Sequence, residues 1–442
     1  MKKYIVSILA IFFGVLAFAE TKKEGDYEIS IKTTKSDAIY KQGEKATFIL
    51  KATKNGNPAA GLELKGEISK DSVAPRIPIE AKTDENGSFE ISSTLNEPGF
   101  LKCKIFVSIP PSENQKEKKV DMLAGAVFDP FKIKPSLPAP KDFDKFWNEQ
   151  KKILKKIPMN IVMTPVESED PNIEVFDIQA DTFNGKMSAY LAMPKGAKPK
   201  SLPAIVFPRG AGVYSSIIRY NWAKEGFIAL DFNVHGLPNG KPRSYYKKAQ
   251  SDGLWGYETR NSESRETIFF REAFMRLMRA MDVAMSLPQW DGKNLILTGG
   301  SQGGGQSIAG AALYNDKVSL VVATIPALCD HSGIVVGRTT GWPHFVKEKD
   351  ANGNYSKERV EAARYVDCMN FASRIKCPAY FTINFADDVC EPTSSFAAYN
   401  NVKSKKDVLC EVEYRHMDWQ PTTGKFVYEK IMESVKNNAA KK

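Results

Sequence analysis

Histidine is scarce: four occur in 442 residues, at positions 235, 331, 344 and 416, and none precedes His235. Imidazole chemistry is thereby confined to the second half of the chain. The six cysteines, Cys103, Cys329, Cys368, Cys377, Cys390 and Cys410, never stand in a Cys-x-x-Cys pair, which excludes a zinc ribbon or a dithiol redox site. Their neighbours are apolar, so buried thiols are expected, with room for one disulfide. After residue 18 no apolar run is long enough to cross a bilayer, so no stable membrane insertion is expected. The net charge of +10 is scattered rather than blocked. With no basic stripe or motif, nucleic-acid binding is not expected. Phosphate loops, dinucleotide fingerprints and metal-ligand spacings are missing, so no cofactor and no metal is implied. What remains, 42% apolar and 26% charged residues, is the balance of an ordinary globular protein of two or three domains.

The N-terminus carries a short positive segment, Lys2-Lys3, then an apolar stretch from Ile5 to Phe18 that ends in Ala17-Phe18-Ala19. This is the pattern of a cleaved signal peptide over residues 1–19. No Cys follows it to accept a lipid. The expected location is secreted or periplasmic, with cleavage after Ala19.

Residues 26–127 read as all-β. Alternating runs such as Ala46-Thr47-Phe48-Ile49-Leu50 are separated by Asn55-Gly56, Asn86-Gly87 and Pro98-Gly99, and Asn-Gly favours tight antiparallel turns. A small immunoglobulin-like sandwich is expected, as a packing unit rather than a glycan-binding module. Residues 128–141 contain Pro130, Pro135, Pro138 and Pro140 and read as a stiff linker. Asp142 then opens an amphipathic helix with Phe143, Phe146 and Trp147 on its apolar side. From about residue 175, apolar β-branched runs alternate with helical patterns, which predicts a doubly wound, mostly parallel α/β sheet over 142–438. Between Ser264 and Leu287, Phe270, Phe274, Leu277, Met281 and Ala284 recur at helical spacing; such a stripe is core. Ala439 to Lys442 should fray.

Gly299-Gly300-Ser301-Gln302-Gly303 follows the strand Leu295-Ile296-Leu297 and precedes an Ala-rich helix. In that strand–turn–helix context Gly-x-Ser-x-Gly makes Ser301 a candidate nucleophile. A serine hydroxyl needs a base to take its proton. His416, just past the last strand and before the last helix, has the right place in chain order. Asp387-Asp388 follow the strand Tyr380 to Ile383; Asp387 is the chosen acid and Asp388 the second candidate. The Gln302 backbone N–H and, from the loop Pro208-Arg209-Gly210-Ala211-Gly212, that of Ala211 are the candidate oxyanion donors. His235, Trp342 and Trp419 lie in neighbouring loops and are candidate substrate-binding residues.

Residues 137–437 resemble the acetyl xylan esterase and cephalosporin C deacetylase family, carbohydrate esterase family seven. The resemblance rests on Pro140-Lys141-Asp142-Phe143-Asp144-Lys145-Phe146-Trp147, on Gly299 to Gly305, and on Asp387-Asp388-Val389-Cys390-Glu391-Pro392 followed by Phe396-Ala397-Ala398-Tyr399-Asn400. His416 falls on the family's histidine. Departures are Ala211 where Tyr is common, Val234-His235-Gly236 in place of Arg-Gly-Gln, and Met417 after the histidine in place of Glu. The resemblance implies an α/β-hydrolase, a Ser-His-Asp esterase acting on an acetylated oligo- or polysaccharide, and admits a homo-oligomer. A peptidase or other acyl hydrolase on the same fold is the alternative, and a glycan-binding protein with an inactive hydrolase domain is the rival from another class.

Overall fold

The computed structural model describes residues 20–111, 116–346, 349, 352–418 and 420–440. The expected signal peptide and Trp419 lie outside the described residues.

Among the described residues the N-terminal unit holds ten strands: β1 (Glu20–Glu24), β2 (Tyr27–Thr33), β3 (Ile39–Tyr40), β4 (Ala46–Lys54), β5 (Asn57–Pro58), β6 (Glu63–Lys70), β7 (Val73–Lys82), β8 (Ser88–Ser93), β9 (Gly99–Ile109) and β10 (Lys118–Phe128). They form two sheets, β1-β2-β4-β5 with β8 beside β4, and β3-β10-β9-β6-β7. The period-two alternation explains the packing. Ala46, Phe48, Leu50 and Ala52 of β4 point inward and meet Leu64, Cys103, Ile105 and Val107 from the facing sheet. Among the described residues the β region thus runs from 20 to 128, beginning six residues before and ending one residue after the expected limits.

The proline-rich segment that follows is bound along its length to the second unit. Asn400 Nδ2 donates to the carbonyls of Pro130 and Ile133, the Ser136 amide donates to Asp330 Oδ1, and Arg364 donates to the Pro138 carbonyl. It is a strap, not a free spacer.

The second unit contains α1 (Phe143–Lys155), β11 (Val162–Val166), β12 (Ile173–Thr182), β13 (Gly185–Pro194), β14 (Leu202–Pro208), α2 (Tyr220–Lys224), β15 (Ile228–Asn233), α3 (Arg243–Ala249), α4 (Phe269–Ser286), β16 (Trp290–Gly300), α5 (Gln302–Leu313), β17 (Leu320–Thr324), α6 (Lys357–Arg364), α7 (Cys368–Ala372), β18 (Ala379–Asn384), α8 (Pro392–Asn401), β19 (Lys406–Glu411) and α9 (Pro421–Ala440). Nine strands form one sheet in the order β11-β12-β13-β15-β14-β16-β17-β18-β19. The six from β15 to β19 pair in parallel, and β11, β12 and β13 add an antiparallel edge. The apolar runs are continuous because both faces are covered. Ala204 and Val206 face α4 and α5, while Ile205 and Phe207 face Trp222 and the α9 residues Phe426 and Ile431.

Helix α1 begins where expected, with Phe143, Phe146 and Trp147 buried and the Trp147 indole donating to the Tyr365 carbonyl at 2.8 Å. Each such buried side chain contributes roughly 1.5–3 kcal/mol. Helix α4 starts five residues later than the periodicity suggested. Ile268 is extended, and Arg265 turns away to bond Asp142. At the C-terminus α9 stays helical through Ala440 rather than fraying at Ala439. All six cysteines are free thiols, which corrects the allowance for a disulfide. Cys368 Sγ, for example, donates to the Gly305 carbonyl at 2.9 Å. Among the described residues no helix is long and apolar enough to cross a membrane.

Candidate active site

In an open parallel sheet, loops leaving the carboxyl ends of the strands gather at one rim. Here that rim receives Arg209 to Gly212 after β14, Ser301 after β16, Phe385 to Asp388 after β18 and Val412 to His416 after β19. The registers Gly300 with Thr324, Thr324 with Thr382, and Asn384 with Glu411 bring these exits level.

Ser301 sits on the turn between β16 and α5 with φ 56° and ψ −124°. A non-glycine residue held there costs on the order of 1–3 kcal/mol. Surrounding bonds hold it: the Ser301 amide donates to the Thr324 carbonyl (3.0 Å), and the Ser301 carbonyl accepts from the Gly305 and Ala327 amides (3.1 and 3.0 Å). Glycine is required at 303, since a Cβ there would lie 2.2 Å from the Pro208 carbonyl oxygen. That close approach seats the 208–212 loop directly on the elbow.

The three chain-distant residues meet. Ser301 Oγ lies 2.9 Å from His416 Nε2, and His416 Nδ1 lies 2.7 Å from Asp387 Oδ2. Asp387 is buried, and its other oxygen accepts from the amides of Val389 (2.9 Å) and Cys390 (2.8 Å). Both carboxylate oxygens are thus occupied, which fixes the plane of the group. With the carboxylate on Nδ1, the imidazole places a lone pair at Nε2 toward the serine hydroxyl. Asp387, rather than Asp388, makes this contact.

The candidate oxyanion side is built on α5 and the 208–212 loop. As the first residue of α5, Gln302 has an amide with no intrahelical carbonyl to bond, at the positive end of a twelve-residue helix. A buried tyrosine unforeseen from sequence ties this helix to the loop: Tyr257 Oη donates to Gln302 Oε1 (2.7 Å) and accepts from the Gly212 amide (3.0 Å). Burial raises the Tyr257 pKa, so it remains a donor. Ala211 is exposed at the rim, and its carbonyl accepts from Tyr214 Oη at 2.8 Å. Arg209 stacks on the Tyr214 ring and faces Asp231, which is fully buried and paired with Arg219 at 2.7 Å.

His235 stands behind this loop. Its Nε2 is 3.1 Å from the Gly212 carbonyl and must carry the proton, and its ring packs edge-on to Tyr257. Burial lowers its pKa to about 4, so it is neutral. It lines a cavity of about 260 Å³ with Leu254, Arg260, Phe269 and Arg276. Trp342 packs on Phe270 at 6.2 Å between ring centres, and its carbonyl accepts from the Leu328 amide; the contacts it makes are those of core. His331 is fully buried against Phe345, with its pKa lowered to about 3 by burial, and His344 pairs with Thr340.

The β unit reaches this rim. A Cβ on Gly125 would lie 2.0 Å from the Phe385 carbonyl oxygen, and Thr393 hydrogen-bonds Asp71. Burial pushes Asp71 up to about 6 and Glu391 up to about 7. The same burial lowers Lys102, which stands near Glu391.

The model of a family described as acetyl xylan esterase matches residues 130–437. An acetyl esterase of Xylanibacter ruminicola is 31% identical over 443 residues, covering 95% of this chain and 96% of that one. The chain belongs to the acetyl xylan esterase family. It is a serine carboxylester hydrolase. Solved acetyl xylan esterases share the α/β-hydrolase fold of its second unit. The Thermoanaerobacterium enzyme superposes with TM-score 0.60 at 23% identity, over 69% of this chain and 97% of that one. The enzyme from a Paenibacillus species gives 0.59 at 24% identity, over 69% and 98%. The Xylanibacter relative spans the esterase's N-terminal β unit as well, since its match covers nearly the whole chain.

Proposed function

We propose that this esterase removes acetyl groups from carbohydrate hydroxyls, those of xylan-derived oligosaccharides among them, through Ser301, His416 and Asp387. The observation that carries the reading is the unbroken hydrogen-bond chain Ser301–His416–Asp387 at the strand ends. His416 takes the Ser301 proton as Oγ attacks the acetyl carbonyl. The amides of Gln302 and Ala211 hold the oxyanion. His416 returns the proton to the sugar oxygen as it leaves. Water, activated by the same imidazole, then releases acetate from the acyl-enzyme, and Asp387 holds the imidazole's orientation and stabilises its charged form. Residues 1–19 act as a signal peptide, so the enzyme works outside the cytoplasm. The N-terminal unit is immunoglobulin-like in this reading, supported by its two facing, mainly antiparallel sheets, with the short β3 paired parallel to β10 at the edge of one of them.

The test is acetate release from acetylated xylan by the parent and by Ser301→Ala, with a peptide panel alongside. Release that is lost in the variant, without peptide cleavage, supports the reading. Parental turnover of p-nitrophenyl acetate by Ser301→Ala would refute the mechanism. Peptide cleavage without acetate release would refute the substrate class.

A further inference from the structure

Arg415 immediately precedes His416, and its guanidinium is spent entirely on the N-terminal β unit. Arg415 Nε donates to Glu20 Oε1 at 2.5 Å and Nη2 to Glu20 Oε2 at 3.2 Å. Nη1 donates to Asp121 Oδ2 at 3.0 Å, and Nη2 also to the Asp121 carbonyl at 2.9 Å. The acceptors are themselves fixed. The Leu123 amide donates to Glu20 Oε2 at 2.6 Å, and Lys22 Nζ donates to the Asp121 carbonyl at 2.6 Å. The Arg415 side chain is only 15% exposed and that of Glu20 7%. Burial opposes the charge on Arg415, yet its bonds to Glu20 and Asp121 hold its pKa above the ordinary value.

The backbone of Arg415 is fastened as well. Its carbonyl accepts from Asn384 Nδ2 at 3.1 Å, at the end of the strand that leads to Asp387, and its amide donates to Asp418 Oδ2 at 2.7 Å. On the other side of His416, Met417 is 88% exposed. The loop bearing the imidazole therefore has a firm footing on one side, and the firmest part of that footing is on a different structural unit, joined through residues about 300 to 400 positions away in sequence.

We propose that the N-terminal β unit is a positioning element for the catalytic base, and that Glu20 and Asp121 act through Arg415 to hold His416 within reach of Ser301. The proposal rests on the reading of His416 as the base. It gives the β unit a role in turnover that does not depend on its binding a glycan. A bidentate Arg–carboxylate contact fixes orientation as well as distance. A displacement of about 1 Å at a reacting group costs on the order of 10²-fold in rate. The carboxylates never touch the ester in this scheme; they are positioning residues.

The experiment uses the full chain. Turnover of p-nitrophenyl acetate is measured per active site titrated with a fluorophosphonate, beside urea unfolding, for Arg415→Met, Arg415→Lys, Glu20→Gln and Asp121→Asn. Lys118→Gln, which breaks the exposed pair with Glu24 on the same unit, is the control and retains parental turnover. Arg415→Met is expected to lower kcat about 10- to 100-fold with KM within about threefold. Arg415→Lys recovers part of that loss, and Glu20→Gln loses several-fold. Adding Glu20→Gln to Arg415→Met costs nothing further, because the carboxylate acts only through the guanidinium. If Arg415→Met fails to fold, the milder Glu20→Gln and Asp121→Asn decide the matter. Parental kcat per titrated site in these variants, with only the urea midpoint lowered, overturns the proposal and leaves the contact purely structural. His416→Ala separates the two readings. If it keeps parental turnover the base assignment fails; if it is dead while the clamp variants are normal, only the positioning role fails.

Discussion

Removing one oxygen tests how the oxyanion side is built. Tyr257→Phe deletes the hydroxyl that donates to Gln302 Oε1 at 2.7 Å and accepts from the Gly212 amide at 3.0 Å. The ring remains to fill its place against His235 and Phe269. Gln302 is fully buried, so its carbonyl oxygen is left without a partner, at a cost of roughly 1–3 kcal/mol, with a similar or smaller amount for the Gly212 amide. Stability should therefore fall by about 2–4 kcal/mol. The effect on rate follows from what the two bonds hold: one end is the first residue of α5, the other is the neighbour of Ala211. Complete loss of one oxyanion donor costs about 10²–10³-fold in kcat. Loosening both without deleting either should cost about 10- to 100-fold, with KM within about twofold, since the donors act on charge that develops only in the transition state. Turnover per titrated active site and urea unfolding on the same preparation separate the two effects. A folded Tyr257→Phe with parental kcat, or with a loss confined to KM, would refute the reasoning.

Other outcomes follow from the same geometry. Ser301→Ala should reduce kcat by about 10⁴–10⁶-fold while leaving the urea midpoint unchanged or higher, because the strained turn is kept. Asp387→Asn should cost about 10⁴-fold, seen in steady-state kinetics, by presenting the wrong imidazole tautomer. Asp231→Ala leaves Arg219 and Arg209 without their buried carboxylate and should destabilise by about 3–5 kcal/mol in urea. Glu391 is held at about 7 against an ordinary 4.5 by burial. The folded state therefore retains its proton where the unfolded chain has lost it, and this group's contribution to stability falls as pH rises from about 4.5 to 7. Glu391→Gln should match the parent at pH 4.5 and exceed it by about 1–3 kcal/mol at pH 8; equal unfolding curves at both pH values would contradict this.

The sequence carried what depends on near neighbours. The elbow around Ser301 was legible because a strand, a turn of small residues and a helix follow one another within twenty residues. The parallel strands were legible because burial on both faces removes polar residues from the run. The antiparallel edge β12–β13 was not foreseen, although β12 alternates and Asn184-Gly185 marks its turn, because β13 is buried in continuous runs like those of the parallel strands beyond it. His416 could be singled out by chain order among four histidines, and Asp387 by its place after a strand. What composition and order could not supply is approach in space. Tyr257 and Gln302 are 45 residues apart, and Arg415 and Glu20 are 395 apart. Neither pair leaves a local pattern, since a hydrogen bond constrains only the two atoms it joins. Local propensity and hydrophobic period settled the elements and the nucleophile's turn. The packing of two units against each other decided which polar groups brace the rim, because only close-packed tertiary contact brings such groups within the 3 Å at which they act.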